Sequence, residues 1–112
     1  MRVAIVGSRQ YKNVAKISAY IQDLPNDTTI ISGGAMGVDT LAETCARGLG
    51  LKTEIYKPDY SKYPGRTAPL ERNQMIAERC DFMVAFWNGT STGTQHAMNC
   101  AKKLGKKVVV IR

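Results

Sequence analysis

The chain has 112 residues, 44% apolar and 22% charged, the balance of an ordinary globular domain. No apolar run approaches the roughly 20 residues that span a bilayer, and the length suits one domain over residues 1–112 with little room for a second. Sixteen Lys and Arg against nine Asp and Glu give a net charge of +7, which favours anionic partners: phosphates, nucleotides or nucleic acid.

The elements follow in chain order. Arg2 to Val6 reads as a strand, and its apolar run is too short for a secretory core. Val14, Ile17, Ile21 and Leu24 recur at helical spacing and stop at Pro25-Asn26-Asp27. Thr28 to Ile31 is a second strand. Val38, Leu41, Ala42, Cys45 and Leu49 mark a second helix, with Gly48 and Gly50 near its end. Lys52 to Tyr56 is a third strand. Pro58 to Pro69 reads as a loop whose length marks it as functional or mobile. A helix is predicted from about Leu70 to Arg79, then a strand over Phe82 to Phe86. The turn Asn88 to Gly93 leads into a helix with Ala97, Met98, Ala101 and Leu104 facing inward. Gly105 ends it, and Lys107 to Ile111 is the last strand. The runs Val3–Val6 and Val108–Ile111 suit strands buried on both sides. The alternation predicts an α/β, Rossmann-like three-layer fold with a five-stranded, mainly parallel sheet.

Cys45, Cys80 and Cys100 are odd in number and include no CxxC pair, which reads as reduced, buried thiols in a cytoplasmic protein. One histidine and scattered carboxylates give no metal-ligand spacing, and no cofactor is expected. Lys102, Lys103, Lys106 and Lys107 read as a solvated helix end complementing the macrodipole, or as a nucleic-acid patch.

In such a sheet, ligands bind outside the carboxyl ends of the strands. The polar and glycine residues fall there. Gly7-Ser8-Arg9 follows the first strand, Ser32-Gly33-Gly34 the second, and Asn88 to Thr94 the fourth. The opposite ends carry plainer turns. Ser91, Thr92, Gly93 and Thr94 open a helix, where free N–H groups favour anions; a plain Ser or Thr cap explains the same residues. Ser32 to Asp39, including Gly34 and Gly37, is a second glycine turn, without a Walker lysine or a dinucleotide fingerprint. Asp39 either braces that turn or meets the ligand. Arg9 and Arg72 offer guanidinium forks for phosphate, with Glu71 and Asn73 beside Arg72. His96 is a packed residue or a general acid–base. Tyr56, Tyr60, Tyr63 and Trp87 are candidates for stacking on a base.

Taken in order, Gly7-Ser8-Arg9, Ser32 through Asp39, Glu71-Arg72-Asn73-Gln74-Met75, and Asp81 through Ala85 followed by Gly93-Thr94 resemble the SLOG superfamily. It includes the LOG-type phosphoribohydrolases, the DprA/Smf proteins and the small YspA-like proteins. The YspA-like branch matches best in length and in Arg72-Asn73 followed by Ala85-Phe86-Trp87. The resemblance implies one SLOG-like nucleotide-binding domain, self-association through helices flanking the pocket, and a nucleotide or ADP-ribose-type ligand. In LOG enzymes an arginine of an Arg-Lys-x-x-Met phrase and a glutamate after Gly-Gly-x-Gly-Thr carry the chemistry. Arg72 and Met75 match the first phrase, with Asn73 in place of the lysine, whereas Ala97 stands where the glutamate would be. An alanine cannot stabilise an oxocarbenium-like state.

The leading expectation is therefore a module that binds a phosphorylated nucleotide or derivative. Its phosphate lies over Gly93 and Thr94, Arg9 and Arg72 are charge partners, and Ser32 to Gly37 run along the ribose or a second phosphate. One alternative is an N-glycosidic hydrolase using Arg72 with Glu71 or His96. The other is a DprA-like binder of single-stranded nucleic acid.

Overall fold

A computed structural model describes residues 1–112. Nine elements alternate: β1 (Arg2–Gly7), α1 (Val14–Gln22), β2 (Thr29–Ser32), α2 (Val38–Gly48), β3 (Lys52–Ile55), α3 (Thr67–Arg79), β4 (Phe82–Phe86), α4 (Thr92–Lys103) and β5 (Lys107–Ile111). The sheet order is β3-β2-β1-β4-β5 and every pairing is parallel. Side chains of a strand alternate between faces, and the central strands are apolar on both. Val3 and Ile5 of β1, Ile30 of β2, and Val84 and Phe86 of β4 pack with Ile17, Ile21 and Ala42 under α1 and α2. Ala4, Val6, Ile31, Met83 and Ala85 point the other way, against Ile76, Ala97, Met98 and Ala101 of α3 and α4. Each fully buried large side chain contributes about 1.5–3 kcal/mol. The result is the predicted three-layer Rossmann-like fold. No helix is long and apolar enough to cross a membrane.

Chain order reverses between β1 and β4. After β3 at one edge, the chain returns past β2 and β1 to place β4 on the far side of β1. The connection 56–66 and α3 make that return. This is the switch point at which open α/β sheets bind ligands.

Three expectations are corrected. α3 begins at Thr67, so Pro69 lies inside its first turn. A proline is tolerated there because the first N–H groups of a helix have no intrahelical partner. β5 is an edge strand, half-buried rather than covered on both sides. Its valines resemble those of β1, but only β4 flanks it. Leu104, expected inside, is the C-cap of α4 and is exposed.

The amino-end rim is held by charge. Arg2 donates to Arg79 O at 2.8 Å and pairs with Glu54 at 2.5 Å, while its backbone N–H donates to Asp81. Lys106 donates to Ala77 O and Glu78 O at 2.6 and 2.8 Å. It thereby caps the end of α3, where a cation complements the dipole. Lys102 and Lys103 lie in the last turn of α4 and Lys107 begins β5. The lysine-rich segment therefore sits at the rim away from the glycine turns.

Candidate functional site

A cleft of about 500 Å³ opens at the carboxyl ends of β1, β2 and β4, within the usual range for small-molecule sites. Gly7, Gly33 and Gly93, far apart in sequence, all line it, with Arg9, Asp39 and Arg72. The convergence expected from the glycine turns is thus present.

The exit of β1 is tied to that of β4. The Ser8 N–H donates to Phe86 O at 3.1 Å, and Ser8 Oγ accepts from the Asn88 N–H at 3.2 Å. Ser8 is buried and braces the rim instead of lining the cleft. The following residue, Arg9, is exposed into it. The ion pairs of the protein are Arg2–Glu54 and Arg47–Glu43, so Arg9 carries its charge unneutralised.

The turn after β2 is braced from α2. Asp39, buried at the start of α2, accepts from the Gly33 and Ala35 N–H groups, both at 3.2 Å. One turn further on, buried Glu43 accepts from Ser32 Oγ at 2.5 Å. Ser32 also accepts from the Gly34 N–H. Ser32 is fully buried and, like the helix-capping Gly37, lies outside the cleft lining. Arg72 reaches across from α3 and donates from Nη1 to Gly33 O at 2.7 Å. Gly33 thus lies between a guanidinium and a carboxylate. A Cβ there would sit 2.6 Å from Arg72 Nη1 and 2.9 Å from Asp39 Oδ2.

Arg72 and Asn73 work as a unit. Arg72 Nε donates to Asn73 Oδ1 at 3.0 Å, and buried Asn73 donates from Nδ2 to Gly93 O at 3.4 Å. The arginine fork is thereby linked to the start of α4. Ser91 caps α4, its Oγ accepting from the Thr94 N–H at 3.4 Å. Asn88 Oδ1 accepts from the Thr90 and Ser91 N–H groups. The N–H groups of Thr92 and Gly93 have no intrahelical acceptor and are available to an anion.

Burial is the main influence on both charges. It pushes the Asp39 carboxyl up to about 6, against the Ala35 hydrogen bond and the Arg72 charge, which pull it down. Burial also lowers Arg72, which the Asp39 charge partly offsets. A carboxyl raised on folding binds a proton that the unfolded chain releases. Its contribution is therefore present below about pH 4 and lost as pH rises through about 6, at a cost of roughly 3 kcal/mol. Urea unfolding at pH 4.5 and 7.5 is expected to show lower stability at the higher pH. Asp39→Asn is expected to remove most of that difference.

The remaining predicted residues fall elsewhere. Trp87 and Thr92 line an adjoining hollow with His96. Of the tyrosines, Tyr60 lines the cleft; Tyr56 packs on the core and donates to Glu54. Glu71 does not line the cleft. Pro69, Arg72, Asn73 and Ile76 span one arc of about 100° on α3, with Leu70 beside it on the cleft wall, and Glu71 lies about 150° from the middle of that arc. Ala97, the position that the LOG resemblance would fill with glutamate, does line the cleft, and Asp39 is the sole carboxylate on its wall. Sequence reasoning gave no site role to Val6, Leu70 or Ile76, which also line the cleft, whereas Ala35 and Met36 lie in the Ser32–Gly37 turn expected along the ligand and Pro58 in the loop read as functional or mobile. Met36 is 73% exposed.

A family model described as YspA, cpYpsA-related SLOG family matches residues 1–63. The chain belongs to this SLOG family. The match covers the first two glycine turns of the SLOG domain and ends before α3. Gene 61 protein of Mycobacterium phage D29 is 29% identical over 117 residues, which is 96% of this chain and 94% of that protein. DNA processing protein A (DprA) from Streptococcus pneumoniae has a similar structure, with a TM-score of 0.87 and 25% identity over 99% of this chain and 50% of that one. DprA from Helicobacter pylori, a structure described for its single-stranded DNA binding mode, gives 0.83 and 22% over 98% and 64%. The SLOG chain described here thus spans half to just under two thirds of the DprA chains it matches.

Proposed function

We propose that this domain binds single-stranded nucleic acid by taking one phosphorylated nucleotide unit into the switch-point cleft. The observation that carries the reading is the convergence of Gly7, Gly33 and Gly93 with Arg9 and Arg72 around one hollow. Glycines let a phosphodiester approach the backbone, and two guanidinium groups from different elements supply charge-assisted donors. The single-stranded DNA binding of Helicobacter pylori DprA, whose fold this chain shares, and the +7 charge support a strand over a free nucleotide. If the strand binds here, labelled oligothymidylate in a fluorescence anisotropy titration will lose affinity steeply with salt, with a log–log slope of about −0.7 per phosphate neutralised. A flat salt response, or no binding at low salt, contradicts the reading.

A second reading, a free phosphorylated nucleotide or nucleotide derivative, is favoured by the cleft's volume of about 500 Å³, in the small-molecule range, and by Pro58 and Tyr60 among its lining. Calorimetry with nucleoside monophosphates and ADP-ribose separates the two: binding of these as tight as that of an oligonucleotide supports the free ligand. An N-glycosidic hydrolase has the least support. Glu71 is off the cleft wall, and Asp39 is committed to two backbone N–H groups. Release of free base from nucleoside monophosphates, abolished by Asp39→Asn, would reinstate it.

A further inference from the structure

The cleft is not the only hollow at this rim. A second, of about 390 Å³, lies against it, and Ser91 lines both. Trp87 forms one wall, and Gln95, His96 and Asn99 of α4 form another. The surroundings hold each group in place. Trp87 donates from Nε1 to Ser91 O at 3.1 Å, which fixes the indole plane at the shared wall. The His96 ring meets Asn73 Nδ2 at 3.1 Å, the same amide that reaches Gly93 O in the first cleft. Gln95 Nε2 donates to Asn99 Oδ1 at 3.0 Å. That bond leaves Gln95 Oε1 free to accept and Asn99 Nδ2 free to donate, side by side on one helix face. An aromatic wall next to a paired donor and acceptor matches a nucleobase, which offers a π-face for stacking and an edge with both kinds of group. The Arg112 guanidinium stands over the Trp87 ring, 5.9 Å from its centroid, so one face of the indole already carries a cation and the base stacks on the indole surface left open to the hollow.

We infer that this second hollow is a nucleobase subsite, taking the base of the nucleotide next to the one held in the cleft. The complete site then engages at least two consecutive nucleotides of a single strand. This rests on the nucleic-acid reading of the first cleft, and it assigns Trp87, Gln95 and Asn99 a role that the first cleft does not.

Trp87 is the sole tryptophan, so its emission reports this hollow directly. The experiment titrates the full chain with thymidine monophosphate, a thymidine dinucleotide and a thymidine octanucleotide, following Trp87 emission and, for the labelled octanucleotide, anisotropy. The expected result is quenching by the dinucleotide and octanucleotide and little by the monophosphate. Trp87→Leu is expected to weaken octanucleotide binding about tenfold, the scale of one lost base stack. Because Trp87 also packs on the core, the double variant Gln95→Ala, Asn99→Ala on the helix surface serves as a second test. It should weaken the octanucleotide several times more than the monophosphate. Octanucleotide binding that depends on Arg72 but leaves Trp87 emission and the double variant unaffected overturns the subsite and leaves the first cleft standing. Absence of octanucleotide binding overturns both.

Discussion

Arg72→Ala is expected to lower affinity for single-stranded oligothymidylate by about 100-fold, the scale of losing a charge-assisted pair of donors. The size follows from position. Arg72 is one of two guanidinium groups on the cleft wall, and it is held ready by Gly33 O and Asn73 Oδ1. An ordered fork loses little freedom when a phosphate arrives. Arg72→Lys keeps the charge but not the fork and should recover about a tenth of the wild-type affinity. Asp39→Asn should act in the opposite direction at pH 7.5. It removes the negative charge that partly neutralises Arg72 while Asn Oδ1 still accepts from Gly33 and Ala35. Anisotropy titrations of the three variants at one salt concentration check the order. An Arg72→Ala protein that binds like wild type, or an Asp39→Asn protein that binds tenfold worse, removes Arg72 from the site.

Gly7→Ala carries the largest expected loss of stability among the substitutions, about 3 kcal/mol, or a fall of about 13 °C in Tm. Gly7 ends β1 against Phe86 of β4. A Cβ there would stand 2.5 Å from Val38 Cγ2 and 2.7 Å from Phe86 O. Val38 is a fully buried core residue and the carbonyl belongs to the central sheet, so neither can yield cheaply. Gly93→Ala is the control, since a Cβ at that position meets nothing within 4 Å. Thermal unfolding of the two should differ by the full amount. Equal melting temperatures would show that the β1–α2 contact is looser than described.

The meeting of the glycine turns at one rim was readable because of strand direction. In a parallel sheet all carboxyl ends share one rim, so glycine turns after the first, second and fourth strands had to meet. The side of the cleft each residue takes was less readable. Glu71 and Arg72 are neighbours in sequence but stand about 100° apart on α3, and only contacts made by the folded chain decide which faces the cavity. Trp87 and Thr92, expected at the binding surface, fall in the second hollow of that rim and not in the cleft. Ser8 and Ser32 lie in the turns after β1 and β2, where their hydroxyls hold the turns together. Pro69 looked like the end of a loop because a proline signals a break equally before a helix and in its first turn. Val108 to Ile111 looked like a core strand because an apolar run does not reveal that it lies at an edge.

Amide chemical-shift mapping with unlabelled oligothymidylate tests most directly which rim of the molecule meets a nucleic-acid strand. Perturbations are expected to concentrate at Gly7, Arg9, Gly33, Gly34, Gly93 and Thr94. Perturbations confined to Lys102, Lys103, Lys106 and Lys107, at the opposite rim, would contradict it.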